Sequence, residues 1–407
     1  MAKKREPYLH LSEKSKFLPR EEMLEIRNEQ KKFVIGIPRE NDPNERRVPL
    51  VPNAAELLVQ NGHHVMMEHG AGEGAHFSDT LYADAGVRFV DHAEEIFLSD
   101  IVLKIAAPTE AEIQMLKRKN ILFSSINAQS RNKHYFKKLI EKKTHAIAFE
   151  LIKDKTGAFP MLRSMSEIIG NASIMIASEY LSHPEYGKGV MLGGFPGIRP
   201  SEVVIIGAGT VAEYAASTAM GMGAQVKIFD DSIYKLRHLQ NQISDRIFTS
   251  ILQPTLLLKA LKEADVVIAA KHSVTGESSC IVPEGMVKQM KKGAVIVDVS
   301  IDQGGCFETS KPTSHQNPVY KVHDITHYCV PNIASRVPHT ASYSLSNFLT
   351  TILLQMAEAG SFEQFIFRNR EFGEGVYMYS GILTNKNMAK KLGLASRDLD
   401  LLMAAMR

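Results

Sequence analysis

The run Val203-Val204-Ile205-Ile206 passes without a break into Gly207-Ala208-Gly209-Thr210-Val211-Ala212, and few local sequences leave so little choice of fold. Four β-branched residues in succession suit a strand buried on both faces. Gly207 permits a turn that a Cβ would obstruct, Gly209 lets a ligand approach the backbone, and Ala212, small where a third glycine often stands, lets the following helix pack closely on the strand. The unpaired N–H groups and positive dipole end of that helix then form a cradle for phosphate. Glycine-rich turns are common, so the context decides. Helical residues from Ala215 to Gly221 and the turn Gly223-Ala224 lead to a second short strand, Gln225 to Phe229, ending in Asp230, which lies 21 residues beyond Gly209. A dinucleotide-binding βαβ unit places its acceptor for the adenosine ribose hydroxyls there, and an acid favours NAD over NADP because a 2′-phosphate would be repelled. The competing reading of Asp230 is a solvated aspartate at a strand end.

The 407 residues are enough for two or more domains, and 44% hydrophobic with 23% charged content is ordinary for a globular protein. A net charge of +3, with basic and acidic residues interleaved, points to no nucleic-acid partner. Cys280, Cys306 and Cys329 are too few and too scattered for a disulfide framework or a zinc site, which suits a reducing compartment. No apolar run reaches the roughly 18 residues of a membrane span, and no apolar signal core follows Met1-Ala2-Lys3-Lys4-Arg5. The expectation is a cytoplasmic protein without membrane insertion.

Residues 1–32 are polar and carry one helical signal, Arg20 to Gln30, read as an appended N-terminal extension. Strands at Phe33–Pro38, His64–Glu68, Ile101–Ile105, Ile121–Ser125 and His145–Phe149, separated by helical segments, predict a first α/β domain. A small-residue helix opening at Met165-Ser166-Glu167 and the glycine-rich loop Gly187 to Gly197 mark the seam before the nucleotide domain. Strands at Ala264–Ala270, Ala294–Val299 and Tyr328–Asn332 continue the alternation after Asp230, and Asp302 and Asn332 come just past two strand ends, where ligands of a doubly wound sheet gather. In the last long helix, Ala341 to Ala359, the apolar residues Leu345, Phe348, Leu349, Ile352, Leu353 and Met356 share one face, with Gly360 as its cap. Crossing back to the first domain, this helix makes that domain discontinuous. The predicted architecture is α/β, with two Rossmann-like domains of doubly wound, mostly parallel sheets: residues 33–161 with 339–407 for substrate, and 162–338 inserted between them for NAD.

Several ordered runs resemble the family of alanine dehydrogenase and the nucleotide-binding part of nicotinamide nucleotide transhydrogenases, over roughly residues 33–400. They are Gly36-Ile37-Pro38-Arg39-Glu40 with Arg46-Arg47-Val48, Gly70-Ala71-Gly72-Glu73-Gly74, Met165-Ser166-Glu167, Gly193 to Gly197 and Ile205 to Thr210. Ile301 to Glu308 and Tyr328 to Asn332 look like alanine dehydrogenase rather than transhydrogenase. The resemblance implies hydride transfer between NAD and a small α-amino or α-keto acid, L-alanine and pyruvate with ammonium. Arg47 matches the arginine that clamps the substrate carboxylate, a task suited to a planar fork of donors. Asp302 and Asn332 match residues beside the nicotinamide, and Ser166 and Lys235 match cofactor contacts. The resemblance also implies a homo-oligomer, commonly a hexamer.

Two positions depart from alanine dehydrogenase. Its strand Leu-Lys-Val-Lys-Glu-Pro places a second lysine on the substrate, where Leu103-Lys104-Ile105-Ala106-Ala107-Pro108 has Ala106; its histidine after the next strand is here Asn127. Asparagine orients a carbonyl but does not titrate, whereas hydration and collapse of an imine need proton traffic. Lys104 shares a strand face with Ala106 and is the candidate substitute. Two rival readings follow from these departures: an NAD(H)-binding, regulatory family member with a degenerate substrate pocket, and a transhydrogenase-like component that depends on a partner chain.

Overall fold

The computed structural model describes residues 31–126, 132–244, 246–271 and 280–405. The expected helix from Arg20 to Gln30 and the side chain of Asn127 lie outside the described residues. Six short strands build the first sheet: β1 (Val34–Ile37), β2 (His64–Glu68), β3 (Arg88–Val90), β4 (Ile101–Leu103), β5 (Ile121–Ser124) and β6 (His145–Ala148). Seven build the second: β7 (Glu202–Ile206), β8 (Gln225–Asp230), β9 (Phe248–Ile251), β10 (Val266–Ala269), β11 (Val295–Asp298), β12 (Val319–Val322) and β13 (Ile325–Tyr328). The chain then returns to the first sheet with β14 (Val376–Tyr379) and β15 (Ile382–Leu383). The orders are β15-β14-β6-β5-β4-β1-β2-β3 and β12-β13-β11-β10-β7-β8-β9. Pairing is parallel throughout except where β12 joins β13 and where the β14–β15 hairpin joins β6. Each sheet therefore reverses its winding once, between β1 and β4 and between β7 and β10, and a crevice opens at the carboxyl ends of the strands there.

Helices cover both faces, so the central strands β4, β5, β7, β10 and β11 are buried along their whole length. This is why they read as unbroken apolar runs instead of alternating ones. Helix α1 (Pro160–Ser182) starts five residues before the expected Met165, because Pro160 at its first turn has a preset φ and no N–H to leave unpaired. It lies tightly against α2 (Thr210–Gly221): a Cβ on Gly170 would stand 2.6 Å from the Val211 carbonyl oxygen. In α3 (Pro338–Glu358), Leu345, Leu349, Ile352, Leu353 and Met356 enter the core formed with Ile35, Ile37 and Phe123 of the first sheet.

The strand expected at Tyr328–Asn332 instead occupies Ile325–Tyr328. It is fed by a tight hairpin whose corner residues His323 and Asp324 both take left-handed backbone angles, φ 56° and 62°. Such corners usually advertise themselves with Asn-Gly or Asp-Gly, a signal that His323-Asp324 does not give. Among the described residues no helix is long and apolar enough to cross a membrane, and no group of His, Cys, Asp and Glu is arranged to hold a metal ion.

Candidate active site

On the nucleotide side, the turn after β7 behaves as its residue types require. Gly207 has φ 115°, and a Cβ there would lie 2.4 Å from the Ala270 carbonyl oxygen, so only glycine joins β7 to the neighbouring strand end. Gly209 caps α2 with an ordinary φ of −93°, and a Cβ on it would meet nothing within 4 Å. Its bareness serves whatever enters the cleft. That cleft, about 250 Å³, is lined by Arg163, Gly209, Thr210, Tyr234 and Lys235 among others. Ala212 is fully buried beneath it, and Lys235 is exposed on the rim. Asp230 is only 2% exposed, and its two oxygens accept from the Ala208 N–H at 2.9 Å and the Ser232 N–H at 2.8 Å. It braces the glycine turn from the end of β8. Ser166 Oγ donates to the Leu162 carbonyl within α1 at 2.7 Å.

On the facing side, the loop after β1 carries a cleft of about 210 Å³ lined by Arg39, Glu40, Glu45, Arg46, Arg47 and the Gly70–Gly74 turn. Arg47 is held side-on by Glu45, with Nε donating to Oε1 at 2.7 Å and Nη2 to Oε2 at 2.5 Å. Nη1 faces the Met165 sulfur at 3.6 Å. Burial alone would push the Glu45 carboxyl up, but the guanidinium beside it holds it below the usual carboxylate range. Arg47 is in turn held above its ordinary range by Glu45, against the cost of burial.

Lys104, 2% exposed, donates to Glu40 at 2.7 Å and pairs with Glu112 at 3.3 Å. The other Glu40 oxygen accepts from the Ile105 N–H at 2.5 Å. Burial pushes Glu40 up to about 7 despite the pull of Lys104. Lys104 itself is raised, because two carboxylates face one ammonium and overcome its desolvation. Its charge is thus spent inside the protein, between β4 and the loop after β1. The strand expected at Ile101–Ile105 ends at Leu103, so Lys104 and Ala106 lie in the segment beyond it and not on one strand face; Ala106 is partly exposed.

The two sides meet at Asn332. Its backbone takes the left-handed conformation, φ 62° and ψ 51°, which asparagine tolerates better than most residues. Its Nδ2 donates to Glu45 Oε2 at 2.9 Å, and Ser335 Oγ donates to Glu45 Oε1 at 3.4 Å while accepting from the Arg46 N–H at 2.7 Å. The His315 N–H donates to Asn44 Oδ1 at 3.2 Å, and its Nε2 lies 3.3 Å from the Asn332 carbonyl oxygen. Burial lowers the pKa of His315, which keeps this imidazole neutral. Asp302 is the exposed residue of the 3₁₀ turn Val299–Gln303 that follows β11, a turn whose Ser300 and Ile301 are buried.

The structure therefore brings Arg47 and Asn332 together through Glu45, places Gly209 and Lys235 on the lining of the other cleft with Gly207, Ala212 and Asp230 in the turn, helix and strand end that support it, and withdraws Lys104 into an ion cluster. Sequence reasoning missed Glu40, Glu45 and Glu112. The signal for Glu112 was half legible: Thr109-x-x-Glu112 is a capping box, with Glu112 Oε2 accepting from the Thr109 N–H at 2.6 Å. Its second oxygen is what pairs with Lys104.

Two doubly wound sheets joined where Asn332 and Ser335 meet Glu45 and Arg46, one of them carrying a dinucleotide-type glycine turn, define a nucleotide-binding protein of the dehydrogenase kind. Models of the alanine dehydrogenase/PNT N-terminal and C-terminal domains match residues 36–169 and 173–386. The chain is 36% identical to an alanine dehydrogenase of Mycolicibacterium smegmatis over 367 residues, 90% of this chain and 98% of that one. It is 37% identical to one of Methanococcus maripaludis, covering 88% and 96%. A solved L-alanine dehydrogenase superposes with a TM-score of 0.81 at 34% identity, covering 88% of this chain and 98% of that one. A transhydrogenase from Sinorhizobium meliloti shares the fold, with a TM-score of 0.73 at 21% identity over 87% and 99% of the two chains. The chain belongs to the alanine dehydrogenase/PNT family.

Proposed function

We propose that this protein is an NAD-dependent oxidoreductase of the alanine dehydrogenase type, interconverting L-alanine with pyruvate and ammonium. The observation that carries the reading is the contact of Asn332 with the Glu45–Arg47 pair, which joins the strand end assigned to the nicotinamide to the arginine assigned to the carboxylate. Residues 33–161 with 339–407 form the substrate domain and residues 162–338 the NAD domain. NAD lies with its pyrophosphate at Gly207, Gly209 and Ala212, its adenosine ribose at Asp230, further contacts from Ser166 and Lys235, and its nicotinamide between Asp302 and Asn332. NAD supplies the hydride acceptor; the chain binds and orients the acid beside it. A homo-oligomer, with a hexamer as the family's common form, and a cytoplasmic setting complete the reading, the latter supported by three free cysteines.

One observation favours a second reading. Both carboxylates around Lys104 hold its ammonium, so Lys104 does not stand in for the lysine replaced by Ala106, and Asn127 supplies no titrating group. This supports an NAD(H)-binding member whose alanine chemistry is slow. The test is NADH oxidation with ammonium and a panel of 2-oxo acids, for the parent and for Ala106→Lys with Asn127→His. A proton-transfer group contributes about 10²–10⁴-fold in rate, so the double replacement is expected to gain far more than either single one. Fast turnover of pyruvate by the parent would defeat the second reading.

A further inference from the structure

Arg47 offers five N–H donors, and Glu45 takes the edge formed by Nε and Nη2. What remains toward the cleft is the end-on edge, Nη1 with the second Nη2 hydrogen, beside Met165. A carboxylate entering the cleft has one fork left to bind, and its direction is set by Glu45. The same Glu45 oxygens are gripped from the NAD domain by Asn332 Nδ2 at 2.9 Å and Ser335 Oγ at 3.4 Å. Glu45 is 8% exposed, and five donor groups converge on it, the Arg47 backbone N–H at 3.0 Å among them. The adjoining backbone is stitched across the same seam, through Arg46 N–H to Ser335 and His315 N–H to Asn44.

We propose that Glu45 is a positioning residue that couples the two sites: it aims the free fork of Arg47 at the substrate carboxylate and ties that aim to Asn332, so that occupancy of the nicotinamide position and capture of the acid favour one another. This rests on the assignment of Arg47 and Asn332 under the proposed function. The physical basis is that a fork with one edge fixed loses less freedom on binding than one that swings. Two ligands that share a held element bias it reciprocally. Glu45 touches no substrate atom. Simple electrostatics predicts the opposite sign, since removing a carboxylate beside Arg47 leaves more positive charge for an anion.

The experiment is calorimetric titration of the full chain with NADH and with oxamate, an unreactive isostere of pyruvate, each alone and with the other saturating. The parent is expected to bind each ligand several-fold tighter in the presence of the other, within the roughly 5–150-fold range of such couplings. Glu45→Gln keeps the shape and should leave NADH affinity alone within about twofold, weaken oxamate about ten- to hundredfold, as expected for a lost charge-assisted hydrogen bond, and bring the coupling near unity. Glu45→Asp restores the charge a methylene too far back and should recover part of the oxamate affinity if Glu45→Gln folds poorly. Oxamate binding that is unchanged or tighter in folded Glu45→Gln or Glu45→Asp, with coupling intact, overturns the proposal. A parent that binds NADH but no oxamate, or in which Arg47→Lys leaves oxamate binding intact, defeats the assignment of Arg47 itself and this inference with it.

Discussion

Strand for strand, the two sheets follow one path. Read as β3-β2-β1-β4-β5-β6 and β9-β8-β7-β10-β11-β13, they reverse at the same place, and the loop after β1 and the loop after β7 each line a cleft of their own. At that address the second sheet has Gly207-Ala208-Gly209, bare backbone ahead of the 12-residue helix α2. The first sheet has Pro38-Arg39-Glu40 and a long loop whose Glu45 and Arg47 are neutralised as a pair. The fourth strand of each is followed by a lysine: Lys104, sealed among Glu40 and Glu112, and Lys271, paired with Asp231 at 2.6 Å, with side chains 23% and 68% exposed. One topology thus presents either backbone amides or charged side chains. A diphosphate can be held by amides and a helix dipole, whereas a small acid needs paired donors.

The sharpest break in this comparison is expected from the two lysines. Lys104→Met leaves two buried carboxylates facing no cation and should destabilise the first domain by about 3–5 kcal/mol; Lys271→Met removes an exposed pair and should cost about 1 kcal/mol or less. Urea denaturation of both variants at neutral pH measures the difference, and equal costs would mean that burial does not separate the two sites.

The sixth strands offer a pH test. His145 in β6 and His327 in β13 are each pushed down to about 4, mainly by burial. An unfolded histidine takes its proton near 6.5. The unfolded chain therefore binds more protons between those values, and stability present above pH 6.5 is lost as pH falls toward 4. Each histidine contributes about 3 kcal/mol by this route. His145 packs edge-on against Tyr379 with ring centroids 4.7 Å apart, so His145→Phe should flatten its share of the acid limb; His327, whose Nε2 lies 2.8 Å from Thr309 Oγ1, should keep the rest. Thermal melts of parent and variant between pH 7 and 4.5 read this out, and an unchanged acid limb would rule His145 out as its source.

The smallest effect concerns the acids nearest the two turns. Asp230→Ala should weaken NADH binding by about 1.5–3 kcal/mol through loss of a charged acceptor, while Glu40→Gln should leave it unaltered. Titration with NADH and NADPH checks both, and equal affinity of the parent for the two nucleotides would remove the ribose reading of Asp230.

Much of the nucleotide half was legible in the chain because its determinants are local. Gly207 and Gly209 sit two residues apart, Ala212 lies one helical turn on, and Asp230 ends the next strand; backbone sterics and strand periodicity fix all four without reference to distant residues. The apolar face of α3 was legible for the same reason, since its 3,4 spacing needs only helix geometry. The substrate half was legible as a set of residues and not as an arrangement. The strand face expected to carry Lys104 and Ala106 ends at Leu103, and where the Lys104 ammonium goes depends on Glu40 and Glu112, which reach it from a loop and a helix cap. Glu45 and Arg47 are near neighbours in the chain, but the grip of Asn332 on Glu45 exists only once α1 and α3 have brought the two sheets face to face. A glycine turn is dictated by its own covalent geometry, whereas the partner of a buried charge is chosen by whatever packing removes from water, and that choice is made by the assembled fold.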